Sequence, residues 1–347
     1  MSAANVCLKA SVCLKASVCP TCSKSYKNKY VLKTHINKKI CTATIPYITD
    51  EQILNDDCLT KRIAKITNKR SYAYIIKECF NNVDILTHNT SRTCDLFTSE
   101  YIEFIRQLHS VDSSLTGIFI DYLVRRIISE KLNKPFSDIR ADKNAVDSDI
   151  IYDLRNIKTI LPMNMLDCYI KANEVKSFRT EDILVEIFIT SLSQTLAFNK
   201  RNIYQSVIDR MIDLIKNTEV LLAPLKNIID LRLLNEYTDV LLNPVLGVKE
   251  NPILNIGSDC DMVIHNTLYD IKCVRLSNPI GQILQLMGYA SLINCNPLMN
   301  RKIENVSILN LLHGTMDTYN ISYITSEQMV KYLQILTRRE VAPLVVV

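Results

Sequence analysis

Tryptophan is absent from this chain of 347 residues, and glycine occurs only six times. Set beside abundant Asn, Ile, Lys and Tyr, that scarcity fits AT-rich coding of the kind found in large DNA viruses. No uninterrupted apolar run approaches the roughly 18 residues of a membrane-spanning helix, so no membrane partner is expected. Nor does the N-terminus show an apolar core followed by a small-residue cleavage site. No secretory signal is read there, and the expected setting is intracellular, the host nucleus or cytoplasm if the source is viral. In a reducing compartment the twelve cysteines are expected to be buried thiols or metal ligands rather than a disulfide framework. Acidic residues are missing from residues 1–49, which hold eight lysines; a chain of formal charge +5 is therefore net −3 beyond that arm. A basic arm favours a polyanion through counterion release, and the expected partner is nucleic acid, DNA ahead of RNA.

What is present reads as globular. Hydrophobic content of 48%, charged content of 22% and a mean hydropathy of +0.06 exclude wholesale disorder. The length allows two or three folded units. Residues 1–18 form a basic leader, expected to be disordered, in which Val-Cys-Leu-Lys-Ala-Ser occurs at 6–11 and again at 12–17. Residues 19–41 carry a metal motif, 42–110 a linker and helical region without chemical motif, and 111–340 the large domain. Apolar spacing predicts helices over 115–132, 181–198, 201–217 and 279–295, and another from Ser326. Strands are expected near 306–312 and 318–324, which makes the large domain α/β.

The metal motif is Cys19-Pro-Thr-Cys22, twelve residues, His35, five residues, Cys41, with Tyr26 and Leu32 as a small apolar core. This is the spacing of a ββα C2H2-type finger with Cys in place of the last His. Zn²⁺ accepts such thiolate and imidazole donors tetrahedrally. Asn28, Val31 and Thr34 would face bases and are weak readers, so phosphate contact by Lys24, Lys27, Lys29 and Lys33, or a protein-binding role, is equally open.

A second chemistry lies in Gly257-Ser-Asp-Cys-Asp261-Met-Val-Ile-His-Asn-Thr-Leu-Tyr-Asp270-Ile-Lys272. Two strands, Asp261–His265 and Leu268–Val274, are expected around an Asn266-Thr267 turn. His265 would then pair with Leu268, and Asp261 would face Lys272. Asp261, Asp270 and Lys272 share one face in that register. Two carboxylates on neighbouring strands can hold Mg²⁺ or Mn²⁺, the Ile271 carbonyl could add a ligand, and an ammonium beside them can orient water or stabilise phosphorus. Asp259 is the alternative first carboxylate. His88, His109, His265 and His313 lack ligand spacing, and burial explains Cys260, Cys273 and Cys295.

This hairpin, followed by Gln285-Leu-Met-Gly-Tyr289, resembles the PD-(D/E)xK nuclease superfamily, in particular its RecB-like branch. Gly117-Ile-Phe-Ile-Asp121-Tyr-Leu-Val-Arg125 is similar to a helix found early in uncharacterised members of that group, and the likeness spans residues 110–320. It implies a restriction-endonuclease-like core, a mixed central sheet flanked by helices. It also implies catalytic roles for Asp261, Asp270 and Lys272, with Gln285 and Tyr289 supporting the metal or DNA. A helical acid often completes such sites; Glu186 and Asp121 are the candidates here. The expected function is metal-dependent hydrolysis of DNA phosphodiesters with the finger assisting capture. The alternative is a non-catalytic nucleic-acid-binding or adaptor protein on the same scaffold.

Overall fold

The structure, a computed structural model, describes residues 17–18, 25–26, 58–132 and 203–337, with short breaks inside the last two spans, and a few positions between 184 and 195. The elements are β1 (Ser17–Val18), β2 (Ser25–Tyr26), α1 (Leu59–Ile66), α2 (Lys69–Phe80), a 3-10 turn (Ile85–His88), β3 (Asn89–Thr93), α3 (Ser99–Val111) and α4 (Ser113–Lys131). They continue with α5 (Gln205–Ile215), α6 (Thr218–Ile228), β4 (Val240–Leu242), β5 (Val245–Leu246), β6 (Ser258–Asp259), β7 (Met262–Ile264) and β8 (Thr267–Lys272). The last four are α7 (Ile280–Asn294), β9 (Asn305–Asn310), β10 (Thr315–Asn320) and α8 (Ser326–Thr337).

Period-2 alternation along the strands decides the layers. Met262 and Ile264 enter one apolar core with Ile271 and Leu309, whereas Val263 enters a second with Leu268, Val306 and Ile308. Strands buried on both faces need cover on both. Residues of α3 to α6 fill the first core, and those of α1, α2, α7 and α8 the second. The sheet between them runs β3-β10-β9-β8-β7-β4. Its pairs are antiparallel except β8 with β9. A parallel pair needs a crossover, and α7 supplies it. The class is thus α/β with a mixed six-stranded sheet flanked by helices.

The long periodic segments fold where the sequence places them. The helix expected over 115–132 starts at Ser113 because the Asp112 carboxylate accepts the Leu115 N–H at 2.9 Å. The one expected from Ser326 starts there, Thr325 and Gln328 capping each other through N–H to side-chain oxygen bonds of 2.8 and 3.3 Å. Within the 181–198 segment, Leu184, Ile187, Phe188, Ser191 and Leu192 are helical and buried.

Three features depart from expectation. The strand at Asn89–Thr93 has no apolar alternation, because an edge strand exposed at four of its five residues needs none. The strands expected over 306–312 and 318–324 occupy 305–310 and 315–320, and Gly314 at φ +63 makes the turn between them. The hairpin turn is His265-Asn266, not Asn266-Thr267: Met262 pairs with Tyr269, Val263 with Leu268 and Ile264 with Thr267. His265 takes φ 53, which the first central position of a tight hairpin demands, and β-branched Thr267 joins the strand. The slip amounts to two positions on β8, so every side chain keeps its face.

Cys19, Cys22, His35, Cys41 and most of the leader fall outside the described residues. β1 and β2 pair antiparallel, Ser17 with Tyr26 and Val18 with Ser25.

Candidate metal centre

The hairpin register extends one step beyond β7 to bring Asp261 beside Asp270, rather than opposite Lys272 as the sequence suggested. At that point the ladder stops. Asn243, left-handed at φ 44, turns β4 away and gives its N–H to the Asp261 carbonyl at 2.8 Å. The Ile271 N–H, with no strand partner among the described residues, donates instead to Asp261 Oδ2 at 2.6 Å. The carboxylate of Asp261 thus stands in for the missing strand carbonyl. The Lys272 carbonyl accepts from Leu311 on the β9 side at 2.8 Å. Alternation therefore turns the Ile271 carbonyl toward Asp261.

Asp270 and Lys272 extend from the same face of β8. Asp270 is 2% exposed; its Oδ1 accepts from Lys272 Nζ at 2.8 Å, and its Oδ2 is buried with no hydrogen-bond donor. The register sets Asp261 beside it, and the charge of Asp261 acts on it. Burial pushes the Asp270 carboxyl up to about 7; Lys272 opposes that rise and Asp261 adds to it. For Lys272, burial disfavours the ammonium, but Asp270 and Asp261 outweigh it and hold the group above its usual range.

A third acid arrives from the other layer. Asp121, on α4, is gripped by both Arg125 Nε at 3.1 Å and Arg125 Nη2, and its charge reaches Asp261 and Lys272. Burial raises its carboxyl to about 7; Arg125 opposes and Asp261 reinforces this. Arg125 is itself buried, with its guanidinium 4.8 Å from the centre of the Tyr122 ring. Of the two helical acids suggested by sequence, Asp121 is therefore at the centre, and Glu186 lies outside the described residues. Asp259 sits on β6 opposite Val245, so Asp261 is the carboxylate that meets Asp270.

Gln285 and Tyr289 come from α7, the crossover helix above this face. The Gln285 amide donates to the Tyr289 hydroxyl. A third residue, which sequence reasoning missed, joins them: Thr60 Oγ1 lies 3.1 Å from Tyr289 Oη and 3.4 Å from Gln285 Nε2. It comes from α1, more than 200 residues away in sequence, and no local motif announces it. Gly288 makes the approach possible, because a Cβ there would fall 2.8 Å from Leu59 Cδ2 and 3.3 Å from Ile63 Cδ1. The Leu59 N–H also bonds the Gly257 carbonyl at 3.0 Å, tying α1 to the segment that leads into Asp261.

Burial accounts for the neighbouring cysteines, Cys260 and Cys273. Burial pushes the Cys260 thiol well above its usual range and Cys273 up to about 12, so both are neutral. His88 stacks on Tyr323 at 4.1 Å between ring centres.

Among the described residues no group of three or more His, Cys, Asp and Glu side chains is arranged to enclose a metal ion. Mg²⁺ and Mn²⁺ do not need such a cage. Mg²⁺ in particular keeps several waters and binds through one or two carboxylates. Asp261, Asp270 and the Ile271 carbonyl fit that requirement. The buried, donorless Asp270 Oδ2 beside a second carboxylate is a place where a cation would relieve both desolvation and like-charge repulsion. No helix among the described residues is long and apolar enough to cross a membrane. Comparison of the chain with protein-family models, with curated proteins and with solved structures found no match.

Proposed function

We propose that this protein is a divalent-metal-dependent nuclease of the PD-(D/E)xK type acting on DNA. The observation that carries the reading is the buried Asp270, paired with Lys272 through one oxygen, crowded by Asp261 and left without a donor on the other. Burying a carboxylate beside a second one costs stability, and a passive scaffold has no use for it. A hydrolytic site does.

Mg²⁺ or Mn²⁺ on Asp261, Asp270 and the Ile271 carbonyl would supply charge neutralisation at the phosphate and an acidified water. The chain's own groups do the rest. Asp261 is held in place by the Ile271 N–H, so its second oxygen keeps a fixed direction. The Lys272 ammonium, 23% exposed at its side chain, can reach a phosphate oxygen or the attacking water while remaining charged. Arg125 keeps Asp121 oriented at the rim of the cluster. The finger, with Zn²⁺ on Cys19, Cys22, His35 and Cys41, would add phosphate affinity through its lysines. Strands β1 and β2 flank Cys19 and Cys22 in sequence, as a finger hairpin requires.

The test is cleavage of linear, circular and single-stranded DNA with Mg²⁺ or Mn²⁺, comparing the natural chain with Asp270→Ala. Metal-dependent cleavage lost in Asp270→Ala is expected. Absence of cleavage of any DNA or RNA by metal-loaded protein would overturn the proposal. DNA binding that survives Asp261→Asn and vanishes on zinc chelation would then favour the adaptor alternative.

A further inference from the structure

The hydrogen bonds around Tyr289 have a direction. The Gln285 amide nitrogen is donor only, and the Tyr289 hydroxyl accepts from it. Tyr289 is 4% exposed, and a phenolic O–H that deeply placed is stabilised by donating. Among the described residues its acceptor is Thr60 Oγ1 at 3.1 Å. Thr60 Oγ1 also faces the Gln285 amide, at 3.4 Å. With its oxygen accepting from both, the Thr60 hydroxyl proton is left for a third partner. Thr60 is exposed, so that partner can come from outside the chain.

The chain amide to phenol to hydroxyl therefore ends in a hydroxyl donor on an exposed residue. It ends beside the acidic segment, because the neighbouring Leu59 N–H bonds the Gly257 carbonyl at 3.0 Å and Tyr289 feels the charges of Asp259 and Asp270. A donor next to a cluster of carboxylates is of no use to a cation. It suits an anion brought there by one, namely a phosphate oxygen.

We propose that Thr60 is a substrate-contacting residue, its hydroxyl oriented by Tyr289 and Gln285 to donate to a non-bridging phosphate oxygen of the strand entering the centre. This rests on the reading of the centre as a phosphodiesterase site. It also gives the α1 segment, which carries no motif, a part in substrate capture.

The test compares the natural chain with Thr60→Val, which keeps the shape and removes the hydroxyl, and Thr60→Ser, which restores it. Two readouts are needed: steady-state cleavage of a short DNA with Mg²⁺, and anisotropy binding of the same DNA with Ca²⁺ replacing Mg²⁺. The binding arm uses chains also carrying Cys22→Ser, to remove the share of the finger. Loss of one hydrogen bond to a charged oxygen should raise KM and Kd about tenfold in Thr60→Val with kcat nearly unchanged, and Thr60→Ser should restore both. Equal KM and Kd in Thr60→Val overturn the inference and leave the nuclease reading standing, as does a fall in kcat alone. If the natural chain cleaves nothing yet Thr60→Val still weakens binding, the contact stands and the nuclease reading falls. If no binding is detected even without the substitution at Thr60, the inference is overturned.

Discussion

Asp270 and Asp121 both sit at about 7 in the fold, against roughly 4 for a carboxyl in an unfolded chain. An acid raised in this way contributes stability that is complete below the unfolded value and is lost as pH rises through the folded one. Metal-free protein should therefore melt at progressively lower temperature from about pH 4 to pH 8. Asp270→Asn, uncharged and of the same shape, should flatten that slope in calorimetry; a slope identical to that of the natural chain would show that Asp270 ionises freely. The same substitution should abolish cleavage. For Lys272→Ala the expected loss in kcat is about 10²–10³-fold, the scale measured when one electrostatic stabiliser of a transition state is removed. Without the ammonium beside it, Asp270 should also titrate higher still, moving the metal-free stability curve to higher pH.

At the level of elements, the centre depends on how closely α1 lies on α7. Gly288 leaves the room that Leu59 and Ile63 fill, and both of those are buried. Gly288→Leu gains roughly 1 kcal/mol of helix propensity. It must also place a side chain where two others already pack, at a typical cost of about 1–3 kcal/mol, and about the same again for displacing α1 from its seat. Overpacking should win, and chemical denaturation should show a net loss of about 1 kcal/mol or more. A stabilised Gly288→Leu protein would mean that α1 is free to move off. The hairpin shows how far element-level reading of a sequence extends. Asp261, Asp270 and Lys272 shared a face in the expected register and share it in the fold, because period-2 alternation survives any slip by two. Which residue stands opposite Asp261 depended on the turn, and His265 at positive φ sets it.

For the molecule as a whole, metal and nucleic acid should act as linked ligands. Binding of Mg²⁺ or Mn²⁺ requires the carboxylates to lose their protons, so the rise in melting temperature on metal addition should be larger at pH 8 than at pH 6, and a chelator should reverse it. Thermal shift titrations at the two pH values check this; an equal shift at both would remove Asp270 from the ligand set. The basic arm carries eight of the chain's lysines and no acid. Cys22→Ser should accordingly reduce the salt dependence of DNA binding, by about 0.9 in logarithmic slope for each phosphate that the finger no longer neutralises, without changing the melting of the sheet domain.

The sequence by itself determined the long helices and the facing of the acidic hairpin, because these follow from local spacing: 3.6-residue periods and alternation. The α/β class followed from the same signals. Only the tertiary structure decided that Asp121 enters from the opposite layer, that Thr60 meets Gln285 and Tyr289, and that an all-polar segment closes the sheet as β3. Each of these is a contact between residues far apart in the chain, set by how two layers close over one sheet, and a side chain carries no local mark of the neighbour that closure will bring to it. The acids at Asp261, Asp270 and Asp121 are written in the sequence; the burial of Asp270 and the convergence of the other two on it are not.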